Sequence, residues 1–252
     1  MTPVRPALVP DPDADTAAMY ATQRRVADLA VFADDDTTPD PAAFAEPDGP
    51  LVAGVDQAFL ADPDRAVSAV VVLRGDAVVE RTHAVSLLEL PYVPGLLAFR
   101  EGGPALDALA TLDRDPDLLV VDGSGRIHPR QAGLATHLGV VLDVPAVGVA
   151  KSLLCGTPDD KTEGRPAGWR TPIRADDGVD APAGTVIGYA YQSRQFDSGA
   201  VNPLYVSPGH RVSAATATDL AAACGGAYKL PEPTRLADGY ADEVKTDGTG
   251  AE

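Results

Sequence analysis

Short apolar blocks separated by glycine, proline and aspartate organise the middle of this chain, beginning with LVAGVDQAFL, AVSAVVVLRG and AVVERTHAVSLL from residue 51 onward. Their length and β-branched content predict strands, and Gly75-Asp76 stands where the second must turn into the third. The first three strands are therefore expected to be antiparallel. Residues 96–112 follow a helical period interrupted by Gly102-Gly103-Pro104, which predicts two helical pieces or a break just after Glu101. Two further buried blocks, DLLVVD and PAVGVA, flank an apolar segment of helical character over residues 130–142. GTVIGYAYQ and PLYVSP read as returning strands, and residues 213–224 as a helix.

Outside this core the pattern weakens. Residues 15–32 predict a helix with an imperfect apolar face of Ala18, Met19, Ala21, Val26, Leu29 and Val31, packed on the outside of the sheet. A Pro/Asp-rich connector without periodicity follows, and residues 157–183 read as a long surface excursion. The expected division is an N-terminal helix plus connector over 1–50, a single domain over 51–240 and a disordered acidic tail over 241–252. The element order predicts an α/β protein, a mixed sheet flanked by helices on both faces.

Charge changes the picture more than length does. The chain has 252 residues with 37 acidic against 20 basic side chains, a net charge of −17, and its acids are mostly aspartate. Such acidity argues against a polyanionic partner, because nucleic-acid binding rests on Lys and Arg neutralising phosphates. It is also the surface expected of a halophilic protein in concentrated salt, where the Debye length shrinks to about 3 Å near 1 M and self-repulsion is screened. In that setting the global charge says little about the ligand. An acidic protein of ordinary salt conditions has the same composition. No stretch approaches the roughly 20 apolar residues of a membrane span, and MTPVRPALVPDPDAD lacks the blocks of a signal peptide, so a cytoplasmic protein without membrane partners is expected. Cys155 and Cys224 have no CxxC spacing and read as reduced structural thiols.

The candidate chemistry lies at strand ends. DLLVVD delivers Asp122 into a glycine-rich loop containing His128, and PAVGVA delivers Lys151, so an acid, an imidazole and an ammonium share one rim of the sheet. Each alone has an ordinary explanation in turn chemistry or solvation; their common polarity on successive strands favours a site. Asp56 interrupts an apolar strand, which requires a metal ion or basic partner, or else a wet face where it satisfies a loop amide. Together with Glu101, these acids are in position to surround one or two divalent cations. Hard oxygen ligands suit Mg²⁺, and no Cys/His spacing suggests zinc.

Read in order, VAGVDQAF, PYVPGLLAFREGG, DLLVVDGSGRIHPRQAGLATHLGV, PAVGVAKSLL, PLYVSPGHRVS and KLPEPTRLAD resemble endonuclease V, the deoxyinosine-directed repair nucleases, over residues 51–238. The resemblance implies a ribonuclease H-like fold and a metal-dependent DNA repair endonuclease that recognises hypoxanthine and nicks on the 3′ side of the lesion. It implies Mg²⁺, with Mn²⁺ as substitute, and a monomer acting on DNA containing deoxyinosine. Asp56, Glu101 and Asp122 match the acidic metal set. His128, Lys151 and His210 match positions at or beside the active centre. Tyr92 matches the wedge inserted at the lesion, and Gly95, Leu97, Gly123 and Gly125 match the pocket for the extruded base. Departures are Gln57 after Asp56, Ser124 in the glycine-rich loop, and the length and acidity of residues 157–183. Arg100, Arg126, Arg130, Arg211 and Arg235 lie in or beside the motifs, as a local basic groove inside an acidic shell requires. The alternatives are a nuclease acting on inosine in RNA and a non-catalytic ribonuclease H-like nucleic-acid-binding module. The intact acidic trio argues against the second.

Overall fold

In the computed structural model, which describes residues 1–61, 63–196 and 201–249, the β-branched blocks become strands at the expected places. β1 (Leu51–Leu60), β2 (Arg65–Arg74) and β3 (Ala77–Leu87) form an antiparallel meander, with Gly75 at φ +57° in the second turn. β1 also runs parallel to β4 (Leu118–Asp122), and β4 parallel to β5 (Ala146–Ala150). The chain then forms β6 (Thr157–Pro158), β7 (Arg170–Arg174), β8 (Val186–Tyr191) and β9 (Leu204–His210), all paired antiparallel. One sheet results, in the order β3-β2-β1-β4-β5-β9-β8-β7-β6.

Alternation along the strands distributes two cores. Ala53, Val55, Leu119 and Val121 pack against α2 (Leu97–Ala110) and α3 (Leu134–Leu142). Val52, Leu118, Val120 and Val147 face the opposite way, toward α4 (Ala214–Ala223), while Ala58, Leu60, Val67 and Ala69 meet α5 (Glu232–Thr249). Gly54 lies where α5 begins, and a Cβ there would stand 2.0 Å from the Pro233 carbonyl oxygen. Its missing side chain lets α5 close directly onto β1. Among the described residues no helix is long and apolar enough to cross a membrane.

Several elements differ from the sequence expectation, each for a tertiary reason. α2 is continuous, with Pro104 inside it. Burial of Phe99, Leu106 and Leu109, each worth about 1.5–3 kcal/mol, outweighs the ~3 kcal/mol cost of an internal proline. α3 starts at Leu134 rather than near 130, because Gln131 adopts φ +52° and the preceding residues turn around the His128 ring. Residues 157–183 are not all surface excursion: they supply β6 and β7, and Ile173 and Val179 pack with Ile127 and Ile187 in a core of their own. The α1 helix (Thr16–Leu29), capped by the Asp15 carboxylate, buries Val26 in the α2–α3 core instead of lying on the sheet. Residues 241–249 continue α5 where a disordered tail was expected. Ala237, Tyr240, Ala241 and Val244 repeat at helical spacing and pack on β1 and β2. Residues 250–252 lie outside the described residues.

The layer of α3 carries a titratable group with a consequence for stability. His137 is fully buried, its Nε2–H donates to the Leu8 carbonyl at 2.7 Å, and burial pushes its pKa down to about 4 from 6.5. The native ring is neutral where an unfolded imidazole would already be protonated. The unfolded state therefore binds more protons between these values, and stability, complete above 6.5, falls as pH drops toward 4. The denaturant midpoint in high salt is expected to be lower at about pH 4.5 than at about pH 7.5, with His137 contributing on the order of 2 kcal/mol of the difference. Replacing it by Asn should flatten that dependence. Equal midpoint shifts in wild type and variant would contradict the assignment.

Candidate active site

A cleft of about 430 Å³ opens at the carboxyl ends of the parallel strands and is lined by Asp56, Glu101, Asp122, Lys151 and Asp238. Strand register explains the grouping. Val55 of β1 is paired with Val121 of β4, so Asp56 and Asp122 occupy the next level on adjacent strands. Lys151 follows the last residue of β5, the next strand over. Glu101 enters from α2, and Asp238 comes down from α5 across the opposite face, where Gly54 permits the approach.

The electrostatics are those of carboxylates short of positive charge. Asp56 Oδ1 accepts the Gln57 N–H at 2.7 Å, while Oδ2 is buried without a partner. Burial, reinforced by repulsion from Asp122, pushes the Asp56 carboxyl up to about 8. Burial likewise pushes Glu101 up to about 7, against the pull of Arg100. Lys151 Nζ donates to Asp122 Oδ2 at 2.6 Å. Burial would lower this ammonium, but the hydrogen bond and the fields of Asp122, Asp56 and Asp238 hold it above its ordinary value. Among the described residues these acids do not close into a ready ligand sphere; the ammonium occupies the position beside Asp122. Their chemistry nonetheless fits a divalent ion. The oxygens are hard, clustered and partly orphaned, and a cation offsets the desolvation that otherwise protonates them.

The same cleft holds the elements implied in base recognition. Tyr92 is 66% exposed at the tip of a loop running from Pro91 to Gly95, and Gly95, Leu97, Gly123 and Ser124 line the wall behind it. His128 Nδ1 accepts from the Arg130 N–H at 3.1 Å, so Nε2 carries the proton and donates to the Gly95 carbonyl at 3.0 Å. Burial pushes this imidazole down to about 4. With both nitrogens engaged, the ring braces the pocket wall.

Two residues implied by the resemblance fall elsewhere. His210 is paired with Ala146, the first residue of β5, whereas Lys151 follows the last, which separates them by about 15 Å of strand. It is 1% exposed, accepts the Val31 N–H at Nδ1 and contacts Asp143 through Nε2 at 3.1 Å, in a cluster completed by Arg5, Arg211 and Asp35. Gly125 is buried, its N–H donating to Ser207 Oγ at 2.9 Å, with the Pro208 carbonyl 2.4 Å from where a Cβ would be. The expected basic groove is narrower too, because Arg211 is bound in that distant cluster and Arg235 pairs with Glu232 at 2.6 Å. Conversely, Asp238 belongs to the cleft and was missed. Its Asp-Gly dipeptide reads as a turn, and only the spacing of Ala237, Tyr240, Ala241 and Val244 would have placed it on a docked helix.

Comparison with known proteins identifies the family. The Endonuclease V family model matches residues 41–239. Endonuclease V of Natronomonas pharaonis, a halophilic archaeon, is 63% identical over 241 residues, covering 95% of this chain and 96% of its own length. The catalytic domain of human Endonuclease V superposes with a TM-score of 0.79 at 34% identity, covering 94% of this chain and 98% of that one. Ciona intestinalis Endonuclease V, solved with a 24mer DNA containing an inosine followed by a ribo-adenosine, superposes with a TM-score of 0.72 at 25% identity, covering 92% and 98%. The acidic, lysine-poor composition is that of a halophilic member, and the mixed sheet is the ribonuclease H-like sheet of these structures. The chain belongs to the endonuclease V family, nucleases that hydrolyse phosphodiester bonds.

Proposed function

We propose that this endonuclease recognises deoxyinosine flipped out of DNA and, with a divalent cation held by Asp56, Glu101 and Asp122, hydrolyses a phosphodiester bond on the 3′ side of the lesion. The observation that carries the reading is the buried, unpartnered Oδ2 of Asp56 in a cleft shared with Glu101, Asp122 and Asp238. The inosine-bearing DNA bound by the Ciona relative supports the choice of substrate. Mg²⁺ suits the oxygen ligands, with Mn²⁺ as a substitute. When bound, such an ion supplies Lewis-acid activation of water and stabilises the charge developing on phosphate oxygens.

The protein's own groups do the rest. Asp56 and Asp122 would hold the ion from adjacent strands, with Glu101 and Asp238 facing it from the two helical layers. Lys151, kept charged by its acidic neighbours, is released from Asp122 to meet the scissile phosphate. His128 stays neutral and fixes the Gly95 carbonyl. Base recognition requires extrusion from the stack, at a cost of a few kcal/mol that is least for a weakly paired base. Tyr92, exposed and braced between Pro91 and Pro94, fills the gap left behind. A second reading, cleavage of inosine-containing RNA, draws on the ribo-adenosine that follows the inosine in the Ciona complex. Matched DNA and RNA strands separate the two.

In high salt with Mg²⁺, wild type is expected to nick an end-labelled duplex carrying one deoxyinosine on the 3′ side of the lesion, and Asp122→Asn to lose about a thousandfold in rate. A variant as fast as wild type, or cutting that ignores the inosine, would sink the reading. Tyr92→Ala is expected to lower the preference for inosine over undamaged duplex by about tenfold while changing the saturated cleavage rate by less than about threefold. A loss confined to the saturated rate would instead place Tyr92 in the chemistry.

A further inference from the structure

The helix that precedes the family match reaches into the wall of the base pocket. Gln23 of α1 is 0% exposed, and a buried amide is costly unless both of its ends are paired. Its Nε2 donates to the Gly95 carbonyl at 2.8 Å, and its Oε1 accepts from Arg130 Nε at 2.5 Å. The same carbonyl receives His128 Nε2 at 3.0 Å and Arg130 Nη2 at 3.1 Å. Three donors thus converge on an oxygen with two lone pairs, more than a surface turn needs for satisfaction. Arg130 is held in turn by Tyr20, whose ring centre lies 3.9 Å from the guanidinium carbon. Tyr20 and Gln23 are three apart on one face of α1, so a single helix grips both the arginine and the loop.

What they grip decides where the pocket is. Gly95 has φ +79°, a left-handed conformation, and it ends the loop that carries Tyr92. Fixing its carbonyl fixes the Gly95–Leu96 peptide plane, and with it the pocket wall that Gly95 lines. The acids, by contrast, sit on β1, β4, α2 and α5, and among the described residues none is hydrogen-bonded to the Gln23 side chain. We propose that Gln23 is a positioning residue for lesion recognition: it locks the Gly95 carbonyl to Arg130, so that the base pocket is formed before DNA binds. The inference rests on the deoxyinosine reading given above. Preorganisation of this kind improves binding of the flipped base and leaves the chemical step unchanged.

The test is single-turnover cleavage of a duplex with one deoxyinosine by Gln23→Met, which keeps the volume and removes both polar ends. Gln23→Glu keeps the acceptor for Arg130 and removes the donor to Gly95, so it reads the same contact should Gln23→Met fail to fold. The half-saturating enzyme concentration is expected to rise about tenfold, with the saturated rate within about twofold of wild type. Amide exchange at residues 95–97 of the DNA-free enzyme should accelerate about tenfold. Unchanged exchange and half-saturation, or a loss seen only in the saturated rate, would overturn the positioning role while wild type still nicks at inosine. Failure of wild type itself to nick at inosine would overturn the deoxyinosine reading, and this inference with it.

Discussion

Crowding carboxylates out of water at one end of a parallel sheet is the constraint on which this structure turns. Asp56 and Asp122 stand level on adjacent strands because β1 and β4 pair in that register. Two more acids arrive from opposite helical layers. No arrangement of these groups alone is stable when fully charged, since each buried charge costs several kcal/mol before its neighbours add repulsion. Burial raises the carboxyls of Asp56 and Glu101, and the Lys151 ammonium is seated on Asp122. The apolar cores on both faces of the sheet hold these groups in place.

The core strands were legible because their blocks are β-branched and their turns carry glycine, signals that depend on neighbours in sequence. The acidic rim was legible for the same reason: Asp56 and Asp122 each interrupt or end an apolar run. What stayed hidden depends on distant packing. Nothing local to residues 97–110 shows that burial will carry a helix through Pro104, and nothing local to 157–183 shows two strands completing a sheet edge. Asp238 was hidden because its helix is identified by what it covers. His210 and His128 both stand in resembling motifs, yet the antiparallel register of β9 on β5 puts His210 level with the first residue of β5, while His128 lines the cleft at the carboxyl ends of the strands. Motif order carries residue identity, but only register says which strand end a residue occupies.

The charge of the chain also reads differently once the contacts are known. Arg100 lies over Phe59, Arg126 over Phe32 and Arg130 over Tyr20, with guanidinium carbons 5.4, 4.4 and 3.9 Å from the ring centres. Arg126 and Arg130 are partly buried against these aromatic faces, and Arg130 reaches the Gly95 carbonyl in the wall of the cleft. Contacts of this kind, like buried ion pairs, are screened by salt less than exposed charges are. An acidic exterior is tolerable in concentrated salt because its repulsion is short-ranged there.

Gly54 gives the clearest view of how such a site limits variation. No substrate atom needs to touch this position, which pairs with Val71 of β2 on one side and Val120 of β4 on the other and faces the start of α5. Yet a single methyl group there would press on the Pro233 carbonyl at 2.0 Å. A strand paired on both sides yields less readily than a helix end, so α5 would lift and carry Asp238 away from the acidic rim. The molecule would keep its sheet and its helices and lose the closure of its active centre. In sorting natural variants of this enzyme, a change at residue 54 belongs with changes in the carboxylates themselves, although it alters neither charge nor a hydrogen-bonding side chain.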